Sequence, residues 1–160
     1  MFRKLMPVAT AAALAVLVAG GVSAAAGSDE ADHGRDFTLL DTTIKDTGVD
    51  VDNSNSFTIG DEDIFTDVLK NRAGTKTIGS LTAVCTATDI PAGQQKPTAH
   101  CTGTATLPGG TLQFAQLVDF AQPTFDLALT GGTGRYDRAR GQISVSFLNE
   151  SDALYHFDID

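Results

Sequence analysis

Tryptophan is absent from the 160 residues, and tyrosine occurs only twice against nine phenylalanines. Basic residues are scarce: 11 Lys and Arg face 20 Asp and Glu, a formal net charge of −9. Phosphate binding needs a basic face, so nucleic acid is excluded as a partner. Cysteine occurs twice, with no Cys-x-x-Cys, and His33, His100 and His156 are scattered, a pattern that argues against a metal centre. No phosphate loop is present either, because no Lys-Ser/Thr follows the Gly-rich stretch near Gly131. Strong helical periodicity and fixed-period repeats are lacking too. What remains is 42% apolar and 19% charged, which is enough to build one core and too little charge for a disordered acidic tail.

The first segment has its own logic. Arg3 and Lys4 precede an apolar run, Val8 to Val18, interrupted only by Thr10. Gly20-Gly21 and small residues to Ala26 follow, with Val22-Ser23-Ala24 and Ala24-Ala25-Ala26 both fitting a small-x-small cleavage rule. Residues 1–26 therefore read as a secretory signal, the run being short of the roughly 20 residues a membrane span needs. The expected location is secreted, extracellular, with no membrane association after cleavage. Removing the signal takes two bases and no acids, which leaves 20 acids against 9 bases, a net of −11. Residues 27–36, mostly polar and charged, read as a flexible leader, and residues 37–160 as a single domain.

That domain is patterned for strands. Leu81, Ala83, Cys85 and Ala87 alternate with Thr82, Val84 and Thr86; Ala99, Cys101, Gly103, Ala105 and Leu107 alternate with His100, Thr102, Thr104 and Thr106. The same period of two runs through 124–130, 142–148 and 153–159. One face is apolar and the other wet, as in an antiparallel sheet. Turn signals fall between the runs: Leu107-Pro108-Gly109-Gly110, the loop from Pro91 to Pro97, and Asn149 to Asp152. Residues 61–71 (DEDIFTDVLKN) fit either a helical turn or a strand. The fold class is all-β, a small antiparallel barrel or sandwich of seven or eight strands.

In an exported chain two cysteines read as a disulfide, and Cys85–Cys101 is the one pairing available. Both lie in the apolar phase of their strands. The alternative is a reactive thiol at Cys85. Asp50, Asp52, Ser54 and Asp61 have the spacing of a calcium loop, but Asn55 stands at its Gly position and Asp61 in place of its Glu, so a solvated loop is expected and no metal. Asn149-Glu150-Ser151 is a glycosylation triplet in a eukaryotic secretory path.

Residues 130–141 read Thr-Gly-Gly-Thr-Gly-x-Tyr-x-x-Ala-x-Gly: Gly131, Gly132, Gly134, Tyr136, Ala139 and Gly141. This run resembles the signature of the allene oxide cyclase barrel family, which includes the dirigent proteins and exported bacterial barrels. Gly60-Asp61 with Phe65, Gly79 with Cys85, and Leu107-Pro108-x-Gly110-x-Leu112 agree in order. The resemblance implies an eight-stranded antiparallel barrel with an apolar lumen, no cofactor, and an apolar small molecule as ligand. It implies either an isomerase or cyclase, or a non-catalytic dirigent-like module with a packed interior. Plant cyclases use a first-strand carboxylate and a cysteine, which carry over to Asp41 as the catalytic residue and to Cys85. Thr43 stands where the family has Asn. Phe37, Leu39, Phe114, Phe125, Phe147, Tyr155 and Phe157 are the expected ligand-binding residues, with small lumen-phase residues leaving the space. Plant members are trimers with apolar outer strands. The outer phase here is rich in Thr, Ser and Gln, so a monomer or weak homo-oligomer is expected.

Overall fold

The computed structural model describes residues 35–54, 56–93 and 96–160. The expected signal, residues 1–26, and most of the expected leader lie outside the described residues. Eight strands follow one another: β1 (Arg35–Val49), β2 (Glu62–Asn71), β3 (Thr77–Asp89), β4 (Thr98–Leu107), β5 (Gly110–Asp119), β6 (Thr124–Gly132), β7 (Gly141–Phe147) and β8 (Asp152–Ile159). Each pairs antiparallel with its sequence neighbours, and β1 pairs with β8 to close the barrel. Closure leaves no free sheet edge, and eight strands enclose an interior that side chains fill or that holds one small ligand. Among the described residues no helix is long and apolar enough to cross a membrane.

The alternation expected of the strands is the burial pattern observed. Leu81, Ala83, Cys85 and Ala87 are buried on β3, Leu127 and Leu129 on β6, and Ile143 and Val145 on β7. The residues between them face outward because a strand turns successive side chains to opposite faces. Cys85 is level with Cys101 on β4, and the two form the expected disulfide.

The structure overturns one expectation and settles two open points. Arg35 and Asp36, assigned to a flexible leader, begin β1 and pair with Ile159 and Asp158. Of the segment 61–71, Glu62–Asn71 is a strand and not a helical turn: Asp67 and Leu69 share its buried face with Leu81 of β3 alongside. Of the Gly-rich run, Gly131 has open space where a Cβ would stand and no positive φ, so it does not require glycine. Gly134 does: its φ is +63°, and a Cβ would run into the Gly109 carbonyl of the neighbouring turn. There the chain forms one 3-10 turn (Gly134–Tyr136), which tucks Tyr136 and Ala139 under the barrel.

That tucked segment gives the barrel a closed end. Phe37 stacks on Phe157 with centroids 4.7 Å apart, and Phe157, Leu69, Leu112 and Ile143 are fully buried around them. Burying each such side chain stabilises by about 1.5–3 kcal/mol. The Arg35 guanidinium lies 5.8 Å above the Tyr136 ring and donates to the Arg135 carbonyl. At the other end the β3–β4, β5–β6 and β7–β8 loops surround an opening. The barrel is a cup.

Candidate functional site

The cup holds a cavity of about 690 Å³. Small-molecule sites run from about 300 to 1,000 Å³, so the interior is not merely packed. Its two sides differ in chemistry. Strands four apart in an eight-strand ring face each other, so β1 and β2 look across at β5 and β6. Phe114, Leu127, Phe125 and Phe147 supply an apolar wall from β5 to β7. Phe120 meets Phe125 edge-on at 5.9 Å, and Phe125 meets Phe147 at 5.5 Å, which makes an aromatic rim. The β1–β2 wall carries Asp41, Thr43, Asp63, Phe65 and Asp67.

Asp41 is the deepest of the acids. It is level with Leu69 on one side and Ala153 on the other, and only 4% of it is exposed. Asp67, one rung nearer the mouth, is level with Thr43 and 2% exposed. Among the described residues each keeps its Oδ1 without a hydrogen-bond partner. The Thr43 side chain donates to the Asp67 carboxylate. Burial pushes the Asp41 carboxyl up to about 8, with repulsion from Asp67 and Asp152 adding to it. Burial also raises Asp67; the Thr43 bond opposes that rise and the charge of Asp46 adds to it. Asp63 is raised by burial, then by Asp46 and Asp61. Burial lifts the Tyr155 phenol well above its ordinary value, and Asp41 and Asp67 lift it further. A neutral phenol and a protonated Asp41 therefore face the cavity at neutral pH, both able to donate.

Asp152 at the rim behaves differently. The Asn149 amide donates to it, Thr42 donates to it as well, and Lys70 on the outer wall is close enough to favour its charge. Its carboxyl is held below the usual range by these groups in that order. Asn149 Oδ1 accepts from the Ser151 and Asp152 amides, so the expected glycosylation triplet is built into the turn at the mouth.

Of the seven expected ligand-binding residues, Phe114, Phe125, Phe147 and Tyr155 line the cavity. Phe37, Leu39 and Phe157 do not; they pack beneath it as the floor. The Cys85–Cys101 disulfide lines the wall, and neither residue is a free thiol. The residue the sequence reading passed over is Asp67. Its signal was present in Asp63-x-Phe65-x-Asp67-x-Leu69, a period of two in which acids and apolar residues share one face.

Away from the lumen, Asp50, Asp52 and Asp61 bring carboxylate oxygens within 4.8 Å of one another, as their spacing suggested. The loop uses these groups itself. Asp61 accepts from the Val51 and Thr58 amides at 3.0 and 2.7 Å, and its carboxyl is held low chiefly by those bonds. Asp52 accepts from the Ser54 amide at 2.9 Å and from the Thr58 hydroxyl at 3.1 Å.

The fold is a closed eight-stranded antiparallel barrel open at one end, and solved barrels of an enzyme and of dirigent and cyclase proteins share it. A pyocyanin demethylase has the same barrel, with a TM-score of 0.70 and 26% identity over 79% of this chain and 100% of that one. A pterocarpan synthase dirigent protein superposes with a TM-score of 0.61 at 18% identity, over 79% of this chain and 92% of its own. An exo-specific intermolecular Diels-Alderase gives 0.63 at 11% identity, over 79% and 97%. No protein-family model matches the sequence, and no curated protein matches it.

Proposed function

We propose that this is an exported barrel that binds an apolar small molecule in its lumen and converts it by proton transfer, as an isomerase or cyclase of the allene oxide cyclase barrel type. One observation carries the reading. A nearly unexposed carboxyl, Asp41, presents an unbonded oxygen at the bottom of an apolar cup of about 690 Å³. An unpaired buried carboxyl costs stability, and such groups recur where acid–base chemistry is done. Two carboxyls whose surroundings differ, one protonated and one bonded to Thr43, can serve as an acid and base on one ligand. The pyocyanin demethylase and the Diels-Alderase are enzymes on similar barrels, which supports a catalytic use of the lumen. The disulfide and the signal-like residues 1–26 support export.

Native mass spectrometry of the exported protein, with or without exposure to an organic extract of the culture, tests this. A bound small molecule is expected, with Asp41→Asn binding it but failing to convert it. The neutral probe N-phenyl-1-naphthylamine should also brighten on binding, and Ala83→Phe, which fills the lumen, should abolish that signal while circular dichroism stays unchanged. A folded protein that binds neither ligand nor probe overturns the proposal.

A further inference from the structure

The lining of the cup is unbalanced in charge. Asp41, Asp63, Asp67, Glu150 and Asp152 line it, against a single cation among the described residues, Lys96. Lys96 belongs to the β3–β4 loop at the mouth. Asp152 is answered by Asn149, Thr42 and Lys70. Among the described residues no cation answers Asp41 or Asp67: they sit deepest, are the least exposed of these acids, and each has an Oδ1 with no hydrogen-bond partner. Buried polar atoms are normally bonded, and two orphaned acceptors on one wall of a cavity are most simply satisfied by what fills it.

The opposite wall supplies no donors. Phe114, Leu127, Phe125 and Phe147 offer ring faces and aliphatic carbon. A ligand that satisfies both walls is flat and apolar over most of its surface and carries N–H groups or a positive charge along one edge. A cationic edge would draw the Asp41 proton off and pair with both carboxylates, whereas a carboxylate or sulfonate would add a further negative charge beside Asp67 and the acids nearer the mouth, and like-charge contact of this kind is how a site rejects a wrong ligand.

Resting on the reading of the lumen as a ligand site, we infer that the cup selects aromatic or polycyclic molecules with an amine or cationic edge, held by Asp41 and Asp67, and excludes their anionic counterparts.

Three probes that share one ring and differ only at the polar edge test the selectivity: 1-naphthylmethylamine, 1-naphthalenemethanol and 1-naphthaleneacetate, titrated by calorimetry at pH 7. The amine is expected to bind at least tenfold more tightly than the acid, with the alcohol between. Asp41→Asn and Asp67→Asn combined should remove most of that preference. Asp126→Asn, which removes a charge from the outer wall where Asp126 bonds Ser144, should leave it intact. Equal binding of amine and acid, or a preference that Asp126→Asn removes equally, overturns the selectivity while leaving the lumen a binding site. Failure of all three, with N-phenyl-1-naphthylamine also unbound, overturns both.

Discussion

Asp41 and Asp67 stand one rung apart on adjacent strands, both turned into the lumen and both with an oxygen that no described residue bonds. Among the described residues no lysine, arginine or histidine offsets either one, and they are as buried as core residues such as Ala139 and Ala99. The barrel tolerates the pair because one of them stays protonated. Asp41 is lifted to about 8 by burial and by its acidic neighbours.

The first prediction is a stability profile that falls with rising pH. Between about pH 4 and 8 the folded state holds a proton on Asp41 that the unfolded chain has released, so stability declines as pH rises through that window. Asp52, Asp61 and Asp152 work in the other direction. Their folded carboxyls are held low by hydrogen bonds, so their contribution is lost as pH falls below the ordinary carboxylate range. Thermal melts should be highest near pH 4 to 5 and fall on both sides. Asp41→Asn should flatten most of the alkaline fall. A melting temperature that climbs from pH 5 to 8 would mean that Asp41 is charged in the fold.

Much of this barrel was legible because period-two alternation is local. Leu81-Ala83-Cys85-Ala87 on β3 and Ile143-Val145 on β7 declare the buried face from sequence alone, and the disulfide follows from two cysteines in that phase. Asp41 was reached through the family resemblance; which way its strand phase, shared with Phe37 and Leu39, would turn was not legible, and the barrel turns it inward. β2 was ambiguous because its inward face alternates acid with apolar residue, and no hydrophobic pattern reveals an acidic interior. Which aromatic residues line the cavity and which plug it is a matter of depth along the barrel. Depth depends on the register between strands far apart in sequence, so Phe157 and Phe125 look alike until β1 is paired with β8.

A second prediction concerns Gly103. It is level with Phe114 on β5, whose ring occupies the space where a Cβ would stand. Gly103→Ala must displace the ring toward the cavity or distort β4. Destabilisation of about 1–3 kcal/mol is expected, as for other overpacked cores, with a smaller lumen and weaker binding of N-phenyl-1-naphthylamine. Denaturant unfolding and probe titration on the same variant check both. Unchanged stability would show that the ring does not rest on β4.

A third prediction follows from the bond between β3 and β4. Thiol labelling of unreduced, denatured protein should find no free thiol, since the two cysteines are joined. Replacing both by Ala opens a loop of this length and should cost about 3 kcal/mol in denaturant unfolding. Two labelled thiols in exported protein would undo the assignment and return Cys85 to consideration as a reactive group on the cavity wall.

The last prediction concerns assembly. The outer wall of the barrel presents Thr82, Thr102 and Thr106 to solvent, and no broad apolar stripe runs along those strands. A stable oligomer buries well over 1,000 Å² with an apolar centre, and threonine rows on a twisted sheet provide no such centre. The most exposed apolar residues lie at the β1 bulge and on the segment leading to β2, with Ile44 and Ile59 each 63% exposed and Val51 55%, while Leu117 on β5 and Leu148 at the mouth stand apart, each 56% exposed. Ile44, Val51 and Ile59 lie among Asp46, Asp50 and Asp52, so two copies brought together there would also oppose like charges. Sedimentation at micromolar concentration should therefore find a monomer. Any association at higher concentration should strengthen with salt, which screens the acids, and weaken in Ile44→Lys with Ile59→Lys. A trimer that persists on dilution to nanomolar protein would show that the threonine-rich wall packs against itself.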